Sequence, residues 1–412
     1  MNSLKEGRWF KLICGASYQH LPAIRNLALV YALAGADCVD VAADPAVVIA
    51  VKEAFQVVSQ SKCYFASAQA VLSSEAVELP LLMISISDGE DPHFRKAVFD
   101  PAACPADCPR PCEAICPAAA ITFEAPNSGV VEERCYGCGR CLPICPVQQI
   151  EAVTRATALD EIAPQLLDTV DAVEIHTQVG RYDAFMEVWS RLRPYLAKLQ
   201  LVSISCLDQD HVVDYLWQLY EGIQPLKIPL IWQTDGRSMS GDIGKGTTHA
   251  TIRFAQKVLQ AGPPGFVQLA GGTNSHTVSK VATLAPHSSS NPSSEDLVLR
   301  SHTGIAQPAF GGIAYGSFAR HLMAPFLEGT RSPSQGVASI SADHTPITHP
   351  HGLDHLETCP TRLGQAVQTA HSLIAPLKAA QSIRSIATSP RHQSPSNPLT
   401  LNSCPPYPPL FK

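Results

Sequence analysis

Residues 201–233 read LVSISCLDQDHVVDYLWQLYEGIQPLKIPLIWQ. Leu201 to Cys206 is a short aliphatic run, Val212 to Tyr220 places apolar residues at helical spacing, and Pro229 to Gln233 is a second short apolar run. A strand, a helix and a strand within so few residues make a βα crossover, which leaves its two strands parallel. The same alternation continues in both directions. Downstream lie a helix at Thr247 to Gln260, strands at Gly265 to Ala270 and Gly311 to Tyr315, and a helix at Phe318 to Leu327. Upstream lie a strand at Ala172 to His176 with a helix at Ala184 to Leu199, and a helix at Leu159 to Asp168. Nearer the start are strands at Phe10 to Ala16, Cys38 to Ala42 and Leu79 to Ile86. A helix from Leu21 ends at Gly35, and Asp44-Pro45 opens another with an N-cap and a proline at its first position. Eight strands, nearly all followed by a helix, predict an α/β fold, a closed (β/α)8 barrel; the alternative is an open doubly wound sheet.

The alternation is interrupted once, after the third strand, by a block holding eight of the fourteen cysteines, Cys104 to Cys145. Thiols crowded in this way, with no secretory signal, point to metal rather than disulfides. The segment CYGCGRCLPICP from Cys135 to Pro146 has the spacing C-x2-C-x2-C-x3-C-P of a bacterial ferredoxin. Three thiolates wrapping one cube need sharp turns, which Gly137 and Gly139 allow. The upstream run Cys104, Cys108, Cys112, Cys116-Pro117 ends in the same way but opens with wider spacings, which leaves the order of ligation open. Between the runs, Ala120 to Val131 has a hairpin pattern with turn residues at its tip. Zinc also accepts four thiolates, and a single cluster with spare thiols is another alternative; the proline-terminated run favours iron–sulfur. The block resembles a two-cluster bacterial ferredoxin domain. That resemblance implies two [4Fe–4S] clusters with crossed ligands: Cys135, Cys138, Cys141 and Cys116 on one, and Cys104, Cys108, Cys112 and Cys145 on the other.

The block enters at Ser87 to Asp91, which in a barrel is the C-terminal face where active sites lie. There the seventh strand ends in Gly271-Gly272-Thr273-Asn274, and the eighth ends in Gly316-Ser317 and runs into a helix carrying Arg320. Loops after strands seven and eight often cradle phosphate, so these seven residues form a candidate site for a flavin or another phosphorylated ligand. Lys280 and Lys245 are further anion-ligand candidates. GDIGKGT at Gly241 to Thr247 lacks the P-loop spacing, which excludes nucleotide hydrolysis. His176, after Glu174, could act as an acid–base group or serve as a hydrogen-bonded structural residue. Cys14, Cys38 and Cys206 lie in or beside apolar strands and read as small buried hydrophobes. Cys63, Cys359 and Cys404 have no companion motif.

The formal net charge of −6, with no basic block, argues against a nucleic-acid surface. Met1 to Ser17 has no signal-peptide apolar stretch, and Leu27 to Ala36 is too short to span a membrane. The expectation is a cytoplasmic protein. Four parts follow: residues 1–91 as the first part of the barrel, 92–151 as the ferredoxin-like insertion, 152–329 as the rest of the barrel, and 330–412 as a Ser-, Pro- and His-rich tail. The tail, with His349 and His351, reads as mostly disordered, with one weak helix at Leu363 to Ala387.

The chain resembles the cyanobacterial light-dependent period protein A family from about Lys5 to Leu327. The marks are FKLICGASYQHLPAIRNLALVYALAGADCVDVAADP, DPHFRKAVFDPAACPADCPRPCEAICP, CYGCGRCLPICP, WQTDGRSMSGDIGKGTTHATIRFA, PGFVQLAGGTNSHTVSK and GGIAYGSFAR. The resemblance implies a redox sensor that conveys light-dependent cellular redox state to the input of the circadian clock. Implied partners are the clock-input histidine kinase, the clock-associated kinase and the Kai A protein, with an electron-transport or quinone-linked donor. The other reading of the residues is an oxidoreductase that uses the barrel mouth, with the clusters as an electron relay.

Overall fold

The computed structural model describes residues 1–60, 78–89, 91–116, 118–124, 128–154, 166–237, 244, 246–284, 308–327 and 355–380. In chain order the strands are β1 (Trp9–Gly15), β2 (Cys38–Ala42), β3 (Leu81–Ser87), β4 (Arg95–Val98), β5 (Ile121–Thr122), β6 (Gly129–Val130), β7 (Glu151–Thr154), β8 (Ala172–His176), β9 (Leu201–Leu207), β10 (Leu230–Asp235), β11 (Phe266–Ala270) and β12 (Ala309–Tyr315). Eight of them, β1, β2, β3 and β8 to β12, close into one parallel barrel. The strands are buried on both faces, β2 along its whole length, which is why they read as aliphatic runs rather than as alternating patterns. Pro80 and Pro229 lie just outside β3 and β10, since a proline has no N–H for the ladder.

Helices cover the outside: α1 (Asn2–Lys5), α2 (Leu21–Leu33), α3 (Pro45–Gln60), then within the insertion the short α4 (Pro111–Ile115) and α5 (Cys141–Ile144), then α6 (Tyr182–Leu192), α7 (Val212–Gly222), α8 (Thr248–Ala261), α9 (Thr277–Leu284), α10 (Ser317–Leu327) and α11 (Pro360–Ala379). Asp44 caps α3 as expected, accepting from Ala46 N at 2.8 Å. The helix expected at 159–168 lies mostly outside the described residues, as do Lys245, Cys63, Cys404, His349 and His351.

The insertion leaves the barrel after β3. Its base is an antiparallel pair, β4 with β7, that runs to Thr154, past the expected boundary at 151. The smaller pair β5–β6 matches the hairpin read at Ala120 to Val131. Lys96 in β4 anchors the insertion to the barrel: it is buried, and its Nζ donates to Gln19 Oε1 at 2.7 Å and to Glu132 O at 2.8 Å.

In the tail the helix expected at Leu363 to Ala387 is present, from Pro360 to Ala379, and is more than a weak one. Helix α11 is ordered and docked on the barrel. It buries Leu363, Ala366, Ala370, Leu373, Ile374 and Leu377, a single stripe at helical spacing, and packs against α2 and α10. Arg25 on α2 holds Glu357 just upstream of α11 through two hydrogen bonds of 3.0 and 2.5 Å, and Lys378 pairs with Asp37. A disordered tail is therefore corrected for residues 355–380. The surrounding Ser, Pro and His composition diluted the periodic signal, and Pro360 begins the helix where a missing N–H costs nothing. Leu377→Ala is expected to lower stability by about 2–4 kcal/mol, read as a shift in denaturation midpoint. An unchanged midpoint would show that α11 is not docked in solution.

Candidate functional site

Two centres meet at the C-terminal end of the barrel. The first is the cysteine block. Helices α4 and α5 each begin or contain a buried cysteine, Cys112 and Cys141, and pack against each other. The remaining thiols come from the turns around them. Cys104, Cys108, Cys112 and Cys145 are mutual charge neighbours, as are Cys116, Cys135, Cys138 and Cys141. These are the two sets that the ferredoxin resemblance implied. Gly137 and Gly139 have φ of 68° and 72°, the left-handed turns that a loop wrapping a compact group needs. None of the described cysteines is in a disulfide.

The thiols' surroundings differ. Cys116, Cys135, Cys138 and Cys141 line a cavity of about 470 Å³, open mouth included, with Lys96, Arg95, Tyr136 and Arg140 in its wall. Burial first, then neighbouring thiols, pushes Cys141 up to about 12. Backbone N–H groups point at the sulfurs: Ala97 N to Cys135 Sγ at 3.4 Å and Ala120 N to Cys116 Sγ at 3.2 Å. Cys145 is the opposite case: burial acts upward, but the backbone N–H groups of Gln149, Val147, Ile150 and Gln148 outweigh it and hold the thiol below its ordinary value. Convergent thiols, donated N–H groups and flanking cations suit an anionic iron–sulfur cluster.

The second centre is a cavity of about 750 Å³ at the barrel mouth, again with its opening included. Gly271, Gly272, Thr273, Gly316, Ser317 and Arg320 all line it, as the sequence suggested. Asn274 does not. It is buried behind the loop, its Nδ2 donating to Gly244 O at 2.9 Å and its Oδ1 accepting from His276 N at 2.9 Å. Its role is to hold the turn after β11. Gly271 has φ of 65°, and a Cβ there would lie 2.9 Å from Arg237 backbone atoms, so the loops after β10 and β11 touch at a glycine. The Arg320 guanidinium donates to Ile13 O at 2.8 Å, Cys14 O at 3.1 Å and Ser317 Oγ at 3.0 Å. Lys280 Nζ lies 3.3 Å from His249 Nε2 and is not part of the cavity wall.

Tyr136 and Gly137 of the cysteine loop form part of the same wall. Arg320 sits over the Tyr136 ring, 4.3 Å from its centre, and Tyr18 meets that ring edge-on at 5.5 Å. The loop that carries Cys135 and Cys138 is thus also the roof of the barrel mouth.

Beneath the roof lies a buried polar network, of which the sequence reading noted only Glu174 and His176. Lys11 Nζ, fully buried, lies 2.5 Å from Glu174 Oε2 and 3.3 Å from Asp40 Oδ2. Ser203 Oγ and Gln233 Nε2 donate to Glu174 at 2.7 and 2.8 Å, and Ser85 Oγ donates to Asp40 at 2.8 Å. His176 Nε2 lies 3.2 Å from Glu174 Oε1, and its Nδ1 lies 3.8 Å from Asp91 Oδ1. Ser205 donates to Asp235, also lining the mouth. The available signal was a charged residue in the middle of each of three apolar strands: Lys11 in FKLICG, Asp40 in CVDVA and Glu174 in AVEIH.

Burial penalises every one of these charges, and the pairing decides which survive. It would lower Lys11, yet Asp40 and Glu174 together raise it. Burial would raise Glu174, yet Lys11 and His176 hold it well below the usual carboxylate range. For Asp40 burial wins, and its pKa rises to about 6. Asp235 also rises, mainly through burial. His176 is lowered by burial but raised further by its hydrogen bond to Glu174 and by Asp91, Glu174 and Asp235, ending near 9. Cys14 is pushed up to about 12 by burial, and Cys38 and Cys206 rise for the same reason, which leaves them as inert apolar groups. Cys359 is exposed.

Because the folded pKa of His176 lies above its ordinary 6.5, its stabilising contribution is complete below pH 6.5 and disappears as pH rises through about 9. We expect the melting temperature to fall across that window by the equivalent of about 3 kcal/mol. His176→Gln should flatten the fall. A variant profile parallel to the wild type would assign it to another group.

Comparison with known proteins bears on both centres. The LdpA Fe-S cluster-binding domain matches residues 104–156, and the Light dependent period A C-terminal domain matches residues 166–376. Light dependent period A of Synechococcus elongatus is 48% identical over 384 residues, covering 92% of this chain and 94% of its own. Residues 104–156 are thus an iron–sulfur cluster-binding domain, which removes zinc as the reading of these thiols. Among the described residues no helix is long and apolar enough to cross a membrane. With an eight-stranded parallel barrel and an iron–sulfur cluster-binding segment inserted after its third strand, the chain belongs to the light dependent period A family.

Proposed function

We propose that the chain carries two [4Fe–4S] clusters in a bacterial ferredoxin-like insertion and works as a cytoplasmic redox sensor that conveys light-dependent redox state to the circadian clock input. The observation that carries this is the division of the eight cysteines into two sets of four, each assembled across the two sequence runs. Cys116, Cys135, Cys138 and Cys141 would hold one cluster, and Cys104, Cys108, Cys112 and Cys145 the other. Bound there, the clusters supply one-electron redox chemistry at potentials set by hydrogen bonding and exposure.

The residues around the two sets support distinct roles. Cys104, Cys108 and Cys145 are half-buried beside the exposed Ile144 and Val147, a surface through which electrons can enter. Cys135 and Cys141 are buried, and their loop presses Tyr136 onto Arg320 and Tyr18 of the barrel. A change in charge on the set that holds Cys135 and Cys141 is felt by Arg320 and by the barrel-mouth loops it holds. That is a physical route from electron uptake to an altered surface. From the family resemblance we propose as partners the clock-input histidine kinase, the clock-associated kinase and the Kai A protein, with an electron-transport or quinone-linked donor.

A second reading rests on the cavity wall that the cysteine loop shares with the barrel mouth. In it the chain is an oxidoreductase whose flavin or other phosphorylated ligand lies against Gly271, Gly272, Thr273, Gly316, Ser317 and Arg320, with the clusters as its relay. Mass and optical analysis of the native protein separates the readings: a stoichiometric organic cofactor favours the enzyme, and none favours the sensor.

For the clusters, anaerobically purified protein is expected to contain about eight iron and eight sulfide. Cys138→Ser and Cys145→Ser should each fall to about half, and the double variant to near none. Full iron in Cys138→Ser would overturn the assignment. Partner capture that is identical for oxidised, reduced and cluster-free protein would sink the sensor reading.

A further inference from the structure

The barrel mouth contains a second set of metal-binding side chains, separate from the cysteines. Asp91, His93 and His176 each offer a donor atom, and the three donors all lie within 4.8 Å of one another. His93 Nδ1 is 2.8 Å from Asp91 Oδ1, and His176 Nδ1 is 3.8 Å from the same oxygen. A tetrahedral ion with bonds of about 2.0–2.1 Å sets donor-to-donor edges of about 3.4 Å, a value between these two. The imidazole rings of His93 and His176 lie 5.1 Å apart, centre to centre.

Three further features mark this cluster as more than a chance meeting of polar groups. First, His176 has its other nitrogen, Nε2, 3.2 Å from Glu174 Oε1. A metal-ligating histidine characteristically donates its remaining N–H to a carboxylate, which fixes the tautomer and aims the free lone pair at the ion. Glu174 is itself held by Lys11, Ser203 and Gln233, so the orientation of His176 is imposed from inside the barrel. Second, Asp91 is buried, and His93 N donates to its Oδ1 at 2.8 Å, so the carboxylate is fixed rather than a mobile surface group. Third, both histidines line the 750 Å³ cavity. An ion held by three protein groups here would open its remaining positions onto that cavity, the arrangement of catalytic rather than structural metal sites.

We propose that Asp91, His93 and His176 bind one divalent transition-metal ion of the zinc or iron(II) class at the barrel mouth. Two histidines and one carboxylate are the donor set for such ions, whereas calcium and magnesium take oxygen-only shells. The ion takes the place of a proton on His176 Nδ1, and that proton leaves to solvent. Asp91 and His93 lie at the start of the insertion and His176 ends β8, so the ion ties the cysteine-bearing segment to the barrel. Its open positions would take a small oxygen-donor ligand, water or a carboxylate, between Gln233, Asp235 and the Tyr136 loop.

The test uses the full chain with its clusters in place. Anaerobic protein is equilibrated with low-micromolar zinc, desalted, and assayed for zinc, iron and sulfide. About one zinc per chain is expected, with cluster iron and sulfide unchanged, and a zinc X-ray absorption spectrum showing a nitrogen and oxygen shell near 2.0 Å. His93→Ala and Asp91→Asn should each weaken zinc uptake at least tenfold while keeping the cluster iron. His93 is only partly buried, so its variant is expected to fold; Asp91→Asn keeps the shape. Wild-type protein that retains no zinc overturns the proposal. So does a sulfur shell near 2.3 Å, or equal zinc uptake by both variants, since either places the ion on thiols.

Discussion

Lys11 lies wholly inside the barrel, between Asp40 and Glu174. An isolated ammonium there would be prohibitively desolvated, so it stays charged only because two strands bring carboxylates to it. This one contact spans β1, β2 and β8. It also has a consequence at the mouth. With Lys11 on Oε2, Glu174 presents Oε1 to Gln233 and His176. The orientation of the histidine is thus inherited from an ion pair one layer deeper. Ser85, Ser203 and Gln268 complete the polar layer, so the interior is a hydrogen-bonded network at this level and an aliphatic core outside it. The ion pairs in this network specify register as well as orientation, because a one-residue slip of β1, β2 or β8 would leave a buried charge without its partner.

Two sites that could have been independent are physically continuous. The cysteine loop is seated by Lys96 on Gln19 and by Gln19 N on Glu133 O at 3.0 Å. Its Tyr136 is wedged between Tyr18 and Arg320. Arg320 in turn holds the carbonyls at the end of β1. Charge arriving on the thiols of this loop would be separated from the barrel-mouth cavity by one aromatic side chain. Burial of Tyr136 pushes its hydroxyl pKa up, so it stays neutral and acts as a spacer rather than a charge. In this geometry a redox change near Cys135 and Cys138 and a ligand at the mouth would sense each other electrostatically, whichever of them is the signal.

The barrel was legible because strands buried on both faces are mostly aliphatic and most of the crossovers between them carry a helix. The insertion was legible because its cysteine spacing departs so sharply from the rest of the chain. The glycine loops after β11 and β12 were rightly placed at the mouth, since turn residues at strand ends fall on one face of any barrel. Asn274 failed that inference: sequence position put it in the loop, but its side chain turns inward to hold the loop's own backbone. Helix α11 was legible only as a weak pattern, because its docking partners, Arg25 and the face of α2, are over 300 positions away.

What the sequence by itself determined was local: the period of the apolar residues, the spacing of the thiols, and the turns that glycine and proline require. These decide which elements form and which residues can hold an iron–sulfur cluster. What only the tertiary structure decided was which charges meet. Lys11, Asp40, Glu174, Asp91 and His176 sit on four separate segments, Glu174 and His176 sharing β8, and each alone looks like a stray polar residue in or beside an apolar strand. Closure of the barrel buries them together, where an unpaired charge is untenable and a paired one fixes the geometry of what lies above it.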